Sequence, residues 1–418
     1  VSAVAGGVNG PVTVDPGEWG AAICGVWPAR ARLTSTPRRD LRQTVTGATF
    51  LSYVSGHLIP DSMSLPPDLH ASITAAVAAR DADRFCALIL PAVSRTFALG
   101  IKVLPGHLGQ AVLDAYLLCR IADTIEDAPG IAPEAKGVLF RDVLAGFDDP
   151  DAIARLVAGV QALPGEPAHL MLVHHADLVY AHFAELPAKT REVVRTWVTE
   201  MVVGMDKFVH RYPDGIRIQT LDEYKEYCYY VAGTVGYMLT DLWFEHAPSI
   251  GRARYEVLRE RCRAFAEALQ TVNILKDVAV DAEKENSIYV PEELLRAHGS
   301  TQGHILAPDL LATNREALGR LIELAWHDLD EARRYLLDIP RRAVSIRLFC
   351  LLPLLFAYAT MRDLVQSTAM LVPGGTVKIS RREVKSLLMA GPMLVMSNAG
   401  VRRLVERVRR RSFELAFA

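Results

Sequence analysis

The feature that most constrains how this chain can fold is an acidic pattern that occurs twice in apolar, helix-favouring sequence. Its first copy is YLLCRIADTIED (Tyr116–Asp127), which contains no Pro or Gly and repeats its apolar residues at helical spacing. Asp123 and Asp127 stand four positions apart, so a helix places both carboxylates on one face, where like charges repel each other. A divalent cation such as Mg²⁺, which takes oxygen ligands, would make that spacing favourable.

The second copy of the pattern is QTVNILKDVAVD (Gln270–Asp281). Asp277 and Asp281 repeat the spacing of the first pair, and Asn273 and Gln270 precede Asp277 by one and two turns on nearly the same face. A single pair of this kind is typical of a solvated helix face. Two pairs in apolar stretches, where an unpaired acid is costly to bury, favour two helices that face each other and wall one end of a cavity with four carboxylates.

Composition limits the classes of protein that need to be considered. The chain has 418 residues, 50% of them hydrophobic, enough for one large domain or two ordinary ones. Its formal net charge of -2 gives no reason to expect a nucleic-acid partner. The six cysteines show no CxxC or CxxH spacing, which is typical of reduced thiols in a cytoplasmic protein. No run of about 18 consecutive apolar residues and no secretory signal is found, so we expect no membrane-spanning helix.

Residues 1–62 differ from the rest of the chain. They are rich in Gly, Pro, Ser and Thr, show no sustained period, and precede the first methionine of the sequence, Met63. We interpret this segment as disordered, or as a translation that extends upstream of the natural start. We therefore assign the functional domain to residues 63–418.

From about Pro67 onward the sequence predicts an almost wholly helical protein. Pro and Gly pairs separate amphipathic runs, and no alternating pattern or βαβ rhythm of useful length appears. One clear apolar stripe with helical spacing comprises Ile322, Ala325, Leu329, Ala332 and Leu336. We expect a single all-α domain, a helical bundle with a central cavity between its helices.

Two segments in the first half of this domain allow alternative interpretations. In SRTF (Ser94–Phe97) the hydroxyl and the guanidinium could hold a phosphate, although a helix cap with a surface arginine is the simpler explanation. The tyrosine-rich run Tyr224–Trp243 has a stretch of small residues at Ala232–Gly236. It is either a tightly packed core helix or a helix that approaches an apolar ligand, with aromatic faces for a cation and a phenol to relay a proton.

The C-terminal part of the chain contains three further segments of this kind. Leu348–Tyr358 (LFCLLPLLFAY) is either core or the wall of an apolar tunnel, and a helix there should kink or end near Pro353. The basic loop Val372–Arg382 (VPGGTVKISRR) is either solvated or clamps a phosphate. The final VRRLVERVRRR predicts a basic amphipathic helix, which either stays solvated or rests on an anionic membrane surface.

Together these patterns indicate a chemistry. Two acidic Mg²⁺ sites above an apolar, aromatic-lined cavity fit a substrate with a diphosphate head and a hydrocarbon tail. The metal ions would neutralise the charge that develops as diphosphate leaves, and a water-free pocket would protect the remaining allylic carbocation. The residue types and their spacing therefore indicate an enzyme that acts on isoprenoid diphosphates.

From about residue 83 to 385 the chain resembles the squalene/phytoene synthase family of head-to-head (1′-1) prenyltransferases. The resemblance rests on SRTF, YLLCRIADTIED, YCYYVAGTVG, and QTVNILKDVAVD followed by YVP, in this order. It implies an all-α isoprenoid-synthase fold with a catalytic tyrosine at Tyr227. It implies that Mg²⁺ binds, as part of the catalytic machinery, to Asp123, Asp127, Asp277 and Asp281. It also implies that the substrate contacts Ser94, Arg95, Phe97, Tyr116, Arg120, Gln270 and Asn273.

Within the family, VKISRR (Val377–Arg382) resembles the segment that squalene synthases have near the NADPH phosphate, with Lys378 and Arg381 as its ligands. The resemblance implies that two farnesyl diphosphates give presqualene diphosphate, which is reduced to squalene with Mg²⁺ and NADPH as cofactors. Lys276 stands where an Arg is usual, and Ser380 where a basic residue is common. The alternatives are a phytoene, dehydrosqualene or presqualene diphosphate synthase without the reductive step, and a catalytically silent helical protein that binds prenyl diphosphates.

The same reasoning gives expectations about partners and location. We expect a cytoplasmic monomer whose partners are small-molecule prenyl diphosphates, with no nucleic acid. Peripheral membrane contact through the basic C-terminal tail is the alternative to a solvated final helix.

Overall fold

The computed structural model describes residues 66–415, and the extension assigned to residues 1–62 lies outside the described residues. The helices in chain order are α1 (Pro67–Ala78), α2 (Ala82–Val93), α3 (Arg95–Lys102), α4 (Gly106–Glu126), α5 (Pro133–Ala145), α6 (Pro150–Gly159), α7 (Pro167–His174), α8 (Ala176–Ala184), α9 (Ala188–Arg211), α10 (Leu221–Cys228), α11 (Thr234–His246), α12 (Arg252–Arg259), α13 (Cys262–Val280), α14 (Glu292–Ala297), α15 (Leu311–Ala317), α16 (Gly319–Asp338), α17 (Val344–Leu364), α18 (Arg381–Leu394) and α19 (Asn398–Arg410). Single turns of π-helix follow α10 and α13, at Tyr229–Gly233 and Asp281–Glu285.

Within residues 66–415, β-type pairing is limited to one isolated bridge between Arg217 and Ile288. The all-α fold class is therefore confirmed. The bridge has a positioning role, because the backbone N–H of Ile288 donates to the carbonyl of Ile216 over 2.8 Å. It ties the chain after α9 to the segment that follows the second aspartate pair.

The interior is built from the apolar faces of amphipathic helices. On α16 the expected stripe is buried in full, and this face packs against α13, the helix that carries the second aspartate pair. Helix α13 also packs against α11, and α9 packs against both α11 and α4. Burial of apolar surface stabilises by about 25 cal/mol per Å². These faces therefore hold the two aspartate helices, α4 and α13, in one bundle.

Helix α17 is the apolar centre of the C-terminal half. It does not end at Pro353, which lies inside a continuous helix whose residues from Leu348 to Pro353 are all buried. By length and composition this helix could cross a membrane, which the sequence interpretation did not expect, but most of its apolar part is buried inside the protein. Burial of this kind is typical of the core helix of a folded domain.

The small residues of the tyrosine-rich run allow close helix packing. A Cβ atom added at Gly236 on α11 would lie 2.1 Å from the backbone oxygen of Cys262, where α13 begins. The tyrosine-rich run therefore approaches another helix closely, as one of the two sequence interpretations expected, and α13 is that helix.

Candidate active site

The first aspartate pair lies at the C-terminal end of α4. Asp123 is in its last turns and Asp127 is the residue that follows the helix. Earlier on the same face, Arg120 Nη1 lies 3.4 Å from Asp123 Oδ2, and Arg120 Nη2 donates to Tyr116 Oη over 3.3 Å. Tyr116 Oη in turn donates to the carbonyl of Val93 over 3.0 Å. This chain of contacts orients Arg120 beside the first pair and connects α4 to the end of α2.

The second aspartate pair lies at the C-terminal end of α13. Asp277 is in the last turn of the helix, and Asp281 begins the π-turn that extends it. Thr376 Oγ1 donates to Asp277 Oδ1 over 2.7 Å, and Lys276 forms an ion pair with the other oxygen of Asp277. The π-turn ends at Asn286, whose φ of 50° reverses the chain direction. The local geometry therefore fixes Asp277 and carries the following side chains around the end of the helix.

Carboxylates at the ends of α4 and α13 act on one another electrostatically. Burial and the negative charges of Asp277 and Asp127 raise the pKa of Asp281 to about 8. Burial and the charges of Glu285 and Asp123 raise the pKa of Asp127 well above its usual range. Asp127 at the end of α4 and Glu285 in the turn after α13 also line one cavity, so carboxylates from the two helix ends lie near each other.

Two glutamates that the sequence reasoning did not select belong to the same group. Glu126 is buried, its Oε1 has no hydrogen-bond partner among the described residues, and burial together with the Asp127 charge raises its pKa. Burial and the Asp281 charge raise the pKa of Glu285 to about 7. Glu126 could have been found by its position inside the first acidic pattern. Glu285 reaches the group through the π-turn, which sequence spacing does not show.

Tyr227 lies beside these carboxylates, stacked on a second tyrosine. The ring centroids of Tyr227 and Tyr289 are 5.0 Å apart and both residues are buried. Burial and the nearby charge of Glu126 raise the pKa of Tyr227, and burial and the charge of Asp127 raise that of Tyr289. Both phenols therefore keep their protons at neutral pH, so each presents an O–H donor and an aromatic face.

The SRTF motif begins α3. Ser94 is the N-cap residue, and its Oγ accepts a hydrogen bond from the backbone N–H of Phe97 over 3.1 Å. The simpler interpretation of this serine as a helix cap is confirmed, although its own O–H remains available as a donor. The ring of Phe97 lies 5.9 Å from that of Tyr116, which places the motif next to α4. The side chain of Arg95 lies outside the described residues.

The two polar residues of the second motif lie on α13 before Asp277. Gln270 is half-buried and Asn273 is exposed. Among the described residues neither side chain is hydrogen-bonded to the aspartates. Their amide groups are thus on the helix that carries the second pair, without a direct contact to it.

The basic loop between α17 and α18 is attached to the second aspartate pair. In addition to the Thr376 hydrogen bond, the backbone N–H of Val377 donates to the carbonyl of Lys276 over 3.3 Å, and the N–H of Gly374 donates to Glu283 Oε2 over 2.8 Å. The side chains of Lys378 and Arg381 are exposed on this segment. The structure therefore places Lys378 on a loop that contacts Asp277 through neighbouring residues, and Arg381 at the first position of α18 directly after that loop.

A cavity of about 490 Å³ opens beside Asp127 of the first pair. Its wall includes Glu126, Asp127, Glu285 and Tyr289, together with the ammonium group of Lys136. Glu126, Asp127 and Glu285 therefore border an open space large enough for a ligand, whereas Asp123, Asp277 and Asp281 are not among its lining residues.

The residues present fit a divalent cation and a diphosphate. Carboxylates that raise one another's pKa repel each other when they are charged, and a hard cation such as Mg²⁺ would remove that repulsion. The Oε1 of Glu126 has no hydrogen-bond partner among the described residues and is therefore available as a metal ligand. The Nε of Arg120 is also buried without a hydrogen-bond partner among the described residues. A guanidinium with a free donor beside carboxylates suits a phosphate oxygen that the metal ion brings in.

Comparison with known proteins places the chain in a family. An all-α bundle with opposed carboxylate pairs defines the class of helical isoprenoid synthases. The family model described as squalene/phytoene synthase matches residues 90–383, which include both aspartate pairs, Tyr227 and the basic loop. The chain belongs to the squalene/phytoene synthase family. A solved complex of TcSQS with a ligand has a TM-score of 0.62 and 22% identity, over 78% of this chain and 97% of that one, so the two share their fold.

Similar curated proteins are squalene synthases from several organisms. That of Schizosaccharomyces pombe is 27% identical over 307 residues, covering 71% of this chain and 64% of that protein. Squalene synthase BSS of Botryococcus braunii is 29% identical over 317 residues, covering 74% and 65%. The Homo sapiens squalene synthase is 26% identical over 308 residues, covering 73% and 68%. The chain thus spans about two thirds of the length of these relatives.

Proposed function

We propose that the protein joins two molecules of farnesyl diphosphate head to head into presqualene diphosphate and reduces this intermediate to squalene with NADPH. The observation that carries the proposal is the attachment of the basic loop to Asp277 through Thr376. This attachment would bring a dinucleotide phosphate next to the carboxylates at which diphosphate leaves. The similarity to squalene synthases supports the same choice. We assign this activity to a domain of residues 63–418.

The carboxylates of α4 and α13 are the proposed metal ligands, namely Asp123, Asp127, Asp277 and Asp281. These residues would hold Mg²⁺, which would supply positive charge to offset the negative charge of a departing diphosphate. The Nε of Arg120, which has no hydrogen-bond partner among the described residues, donates to a diphosphate oxygen. Its Nη1 stays next to Asp123. Ser94, Arg95 and Tyr116 complete the diphosphate side, since the backbone at Val93 ties this segment to Tyr116.

Tyr227 is the proposed catalytic tyrosine. Tyr289 stacks on one face of its ring and fixes the ring orientation, and the opposite π face is the one that would stabilise the positive charge left on the allylic carbon after diphosphate has left. Closure of the cyclopropane ring releases one proton from carbon. The phenol O–H beside Glu126 and Asp127 can pass that proton on towards the carboxylates.

The reductive step requires a place for NADPH, and Lys378 and Arg381 are its proposed phosphate ligands. Both side chains are exposed, Lys378 on the loop that contacts the second aspartate pair and Arg381 at the start of α18. An arginine can form a two-pronged hydrogen bond with a phosphate, and a lysine contributes a point charge. Binding of the nucleotide there would leave its nicotinamide free to reach towards the carboxylates.

The second candidate function is the same condensation without reduction, which gives presqualene diphosphate, dehydrosqualene or, from C20 substrates, phytoene. Ser380 favours this alternative. Its Oγ accepts from the N–H of Glu383 over 3.0 Å and donates to Glu414 over 3.1 Å, so this position caps α18 and offers no charge to a phosphate.

The decisive experiment is incubation with farnesyl diphosphate and Mg²⁺, with and without NADPH, followed by mass spectrometry of the products. Squalene that forms only with NADPH is the expected result. Presqualene diphosphate or dehydrosqualene as the end product in both samples would support the second function. Turnover of C20 but not C15 diphosphate would assign a phytoene synthase.

Asp123→Asn tests the first metal site in the same assay. We expect loss of Mg²⁺-dependent diphosphate release, because the variant keeps the shape of the side chain but removes a charged ligand. Asp222→Asn is the matched control, since this side chain is 98% exposed on another helix. Full activity in Asp123→Asn would remove the assignment of the metal site.

We further propose a cytoplasmic monomer that contacts membranes only at their surface. On α19 the apolar residues Val401, Leu404, Val405 and Val408 are buried against the domain, which leaves its basic face outside. That face lines a cavity of about 680 Å³ together with Arg333. Contact with a bilayer through arginines alone would be electrostatic and weakened by salt, since the Debye length is about 10 Å at 0.1 M and 3 Å at 1 M.

Vesicle flotation tests this membrane contact. We expect binding to vesicles with anionic phospholipid, none to neutral phosphatidylcholine, and release by salt. The double variant Arg402→Glu/Arg403→Glu should lose binding, whereas the control Arg252→Glu/Arg296→Glu, with the same charge change on other helices, should keep it. Equal binding by both double variants would refute the role of α19.

A further inference from the structure

A buried cluster away from the candidate active site has ligand chemistry that the proposed reaction does not use. Cys86 on α2, Asp114 on α4 and His182 on α8 are all buried, and their ligand atoms lie within 4.8 Å of one another. His182 Nδ1 contacts Asp114 Oδ1. His182 Nε2 lies 3.4 Å from Oδ1 of Asp83 in the first turn of α2. Three helices thus bring a thiol, an imidazole and a carboxylate together, with a second carboxylate at the edge of the cluster.

One atom of this cluster has no partner. Asp114 is fully buried, and its Oδ2 has no hydrogen bond with any of the described residues. A buried polar atom left in this state costs about 1–3 kcal/mol. Burial also raises the pKa of Asp114 to about 6 in spite of its contact with His182. An apolar residue in the middle of α4 would avoid this cost, so the free oxygen points to a ligand.

We propose that Cys86, Asp114 and His182 bind one transition-metal ion, with zinc as the ion that the donor set fits best. A thiolate, an imidazole nitrogen and a carboxylate oxygen are the ligands that Zn²⁺ takes in a tetrahedral site. The thiolate disfavours Mg²⁺ and Ca²⁺, which prefer oxygen. A water molecule supplies the fourth ligand, because Asp83 lies on the Nε2 side of His182, away from the Nδ1 that contacts Asp114. On binding, the sulfur of Cys86 exchanges its proton for a bond to the metal, and the proton leaves to solvent.

This site is separate from the proposed Mg²⁺ site. Asp114 precedes Asp123 on α4 by nine residues, which at about 1.5 Å per residue separates their backbones by about 13 Å. The metal would fasten α2 and α8 to the helix that carries the first aspartate pair, and α2 leads directly into Ser94. Its role is therefore to hold in place the two helix ends that form the diphosphate side of the candidate active site.

The metal content of the full-length protein tests the proposal. We expect about one zinc per chain after expression in zinc-supplemented medium and gel filtration. Replacement by Co²⁺ should give a near-ultraviolet band from charge transfer between thiolate and metal. Cys86→Ser and Asp114→Asn should both lose the zinc, and Cys86→Ser should lose the band.

Cys119→Ser is the matched control. Cys119 is a buried thiol on α4, one turn before Asp123, so it is the thiol expected to report on a metal ion in the candidate active site. We expect Cys119→Ser to keep both zinc and the Co²⁺ band. A band that disappears in Cys119→Ser and persists in Cys86→Ser would overturn the proposal, as would wild-type protein that binds no zinc.

A measurement on the wild type alone covers the case in which the variants fail to fold. Removal of zinc by a chelator should lower the melting temperature, and zinc, but not Mg²⁺, should restore it. If added zinc leaves the melting temperature of the depleted protein unchanged, the cluster holds no structural metal. None of these readouts depends on prenyl diphosphate turnover, so failure of the proposed function leaves the metal proposal intact, and the reverse also holds.

Discussion

Asp277 is held at both of its oxygens, by the hydroxyl of Thr376 and by the ammonium of Lys276. A carboxylate fixed in this way loses little conformational freedom when a metal ion binds. Asp281 and Glu285, in contrast, lie in the π-turn and have pKa values raised to about 8 and about 7 by burial and neighbouring negative charge. At the residue scale, Asp277 is therefore an oriented carboxylate, and the charges of its neighbours Asp281 and Glu285 are costly without a cation.

Thr376→Val tests the orientation of Asp277. The variant keeps the branched shape but removes the O–H donor, and a hydrogen bond to a charged group contributes about 1.5–3 kcal/mol. We expect about tenfold or greater weakening of divalent-cation binding, measured by titration with Mn²⁺ followed by electron paramagnetic resonance. Thr376→Ser, which retains the hydroxyl, should bind as the wild type does. Equal affinity of all three proteins would show that this hydrogen bond does not matter.

These residues also show how far sequence reasoning reaches. Asp123, Asp127, Asp277 and Asp281 could be selected because a fixed spacing on one helix determines which side chains share a face. The partner of Asp277 could not, because Thr376 lies 99 residues further along the chain and its contact depends on how the basic loop packs. Local patterns thus predicted the carboxylates, while tertiary contacts determine how each one is held.

At the scale of elements, the separation between α11 and α13 is set by a residue without a side chain. Gly236 brings α11 against the first turn of α13, because a Cβ atom there would lie 2.1 Å from the Cys262 carbonyl. Helix α13 ends in the second aspartate pair, and the π-turn before α11 lies beside Tyr227. The spacing of these two helices therefore affects the distance between the tyrosine and the carboxylates.

Gly236→Ala tests this contact. In an open helix the change would stabilise by about 1 kcal/mol, but here overpacking against a backbone oxygen should destabilise by about 1–3 kcal/mol. The melting temperature should fall. Gly319→Ala is the control, since no atom lies within 4 Å of a Cβ at this position on α16. A similar rise for both variants would contradict the close approach.

The spacing of apolar residues predicted which segments are helices, but it did not predict where a helix is interrupted. Pro and Gly signals separated the helices correctly at Pro105-Gly106 and Pro129-Gly130, where α4 begins and ends nearby. Pro353 did not end α17, because a helix that is buried on nearly all sides is held by packing and tolerates one missing N–H. The π-turn after α13 has no sequence signal of its own, so Glu285 could not be placed with the aspartates beforehand.

At the scale of the whole molecule, one buried acid links three parts of the C-terminal region. Glu383 on α18 accepts two hydrogen bonds from Arg362 on α17, over 2.8 and 2.9 Å, and both side chains are buried. It also accepts from the backbone N–H of Phe413 over 2.9 Å. A single carboxylate thereby connects α17, α18 and the chain that follows α19.

Glu383→Gln should lower stability in a pH-dependent way. Burial alone would raise the pKa of Glu383, but hydrogen bonds from Arg362 and Phe413 lower it below its usual value. The stabilisation is therefore present above about pH 4.3, the unfolded value, and is lost as pH falls through the lowered pKa. At neutral pH, Arg362 would keep its ion pair with Asp363 through Nε, and loss of the charged acceptor for its two Nη groups should cost about 1.5–3 kcal/mol.

Melting temperatures from pH 7 to pH 3 measure this effect. The variant should start lower than the wild type, and the difference should shrink as the pH falls. Glu323→Gln is the control, because Glu323 pairs with Arg320 at an exposed position, where such pairs contribute about 0–1 kcal/mol. A constant difference between the wild type and Glu383→Gln over the whole range would contradict the assigned charge state.

The basic loop is attached to the second aspartate pair and its turn by the backbone N–H groups of Gly374 and Val377 and by the hydroxyl of Thr376. Lys378 and Arg381, which follow these contacts in the chain, are exposed. The residues that attach the loop are therefore different from the proposed NADPH ligands, and the two sets can change independently in evolution. If Lys378 and Arg381 bind NADPH as proposed, substitutions at these two positions would change or abolish its binding and leave the proposed metal ligands in place. A reducing and a non-reducing enzyme built on this scaffold would then be neighbours in sequence space, a few surface substitutions apart. A laboratory selection for a different terpenoid product would therefore need to vary only these few exposed positions.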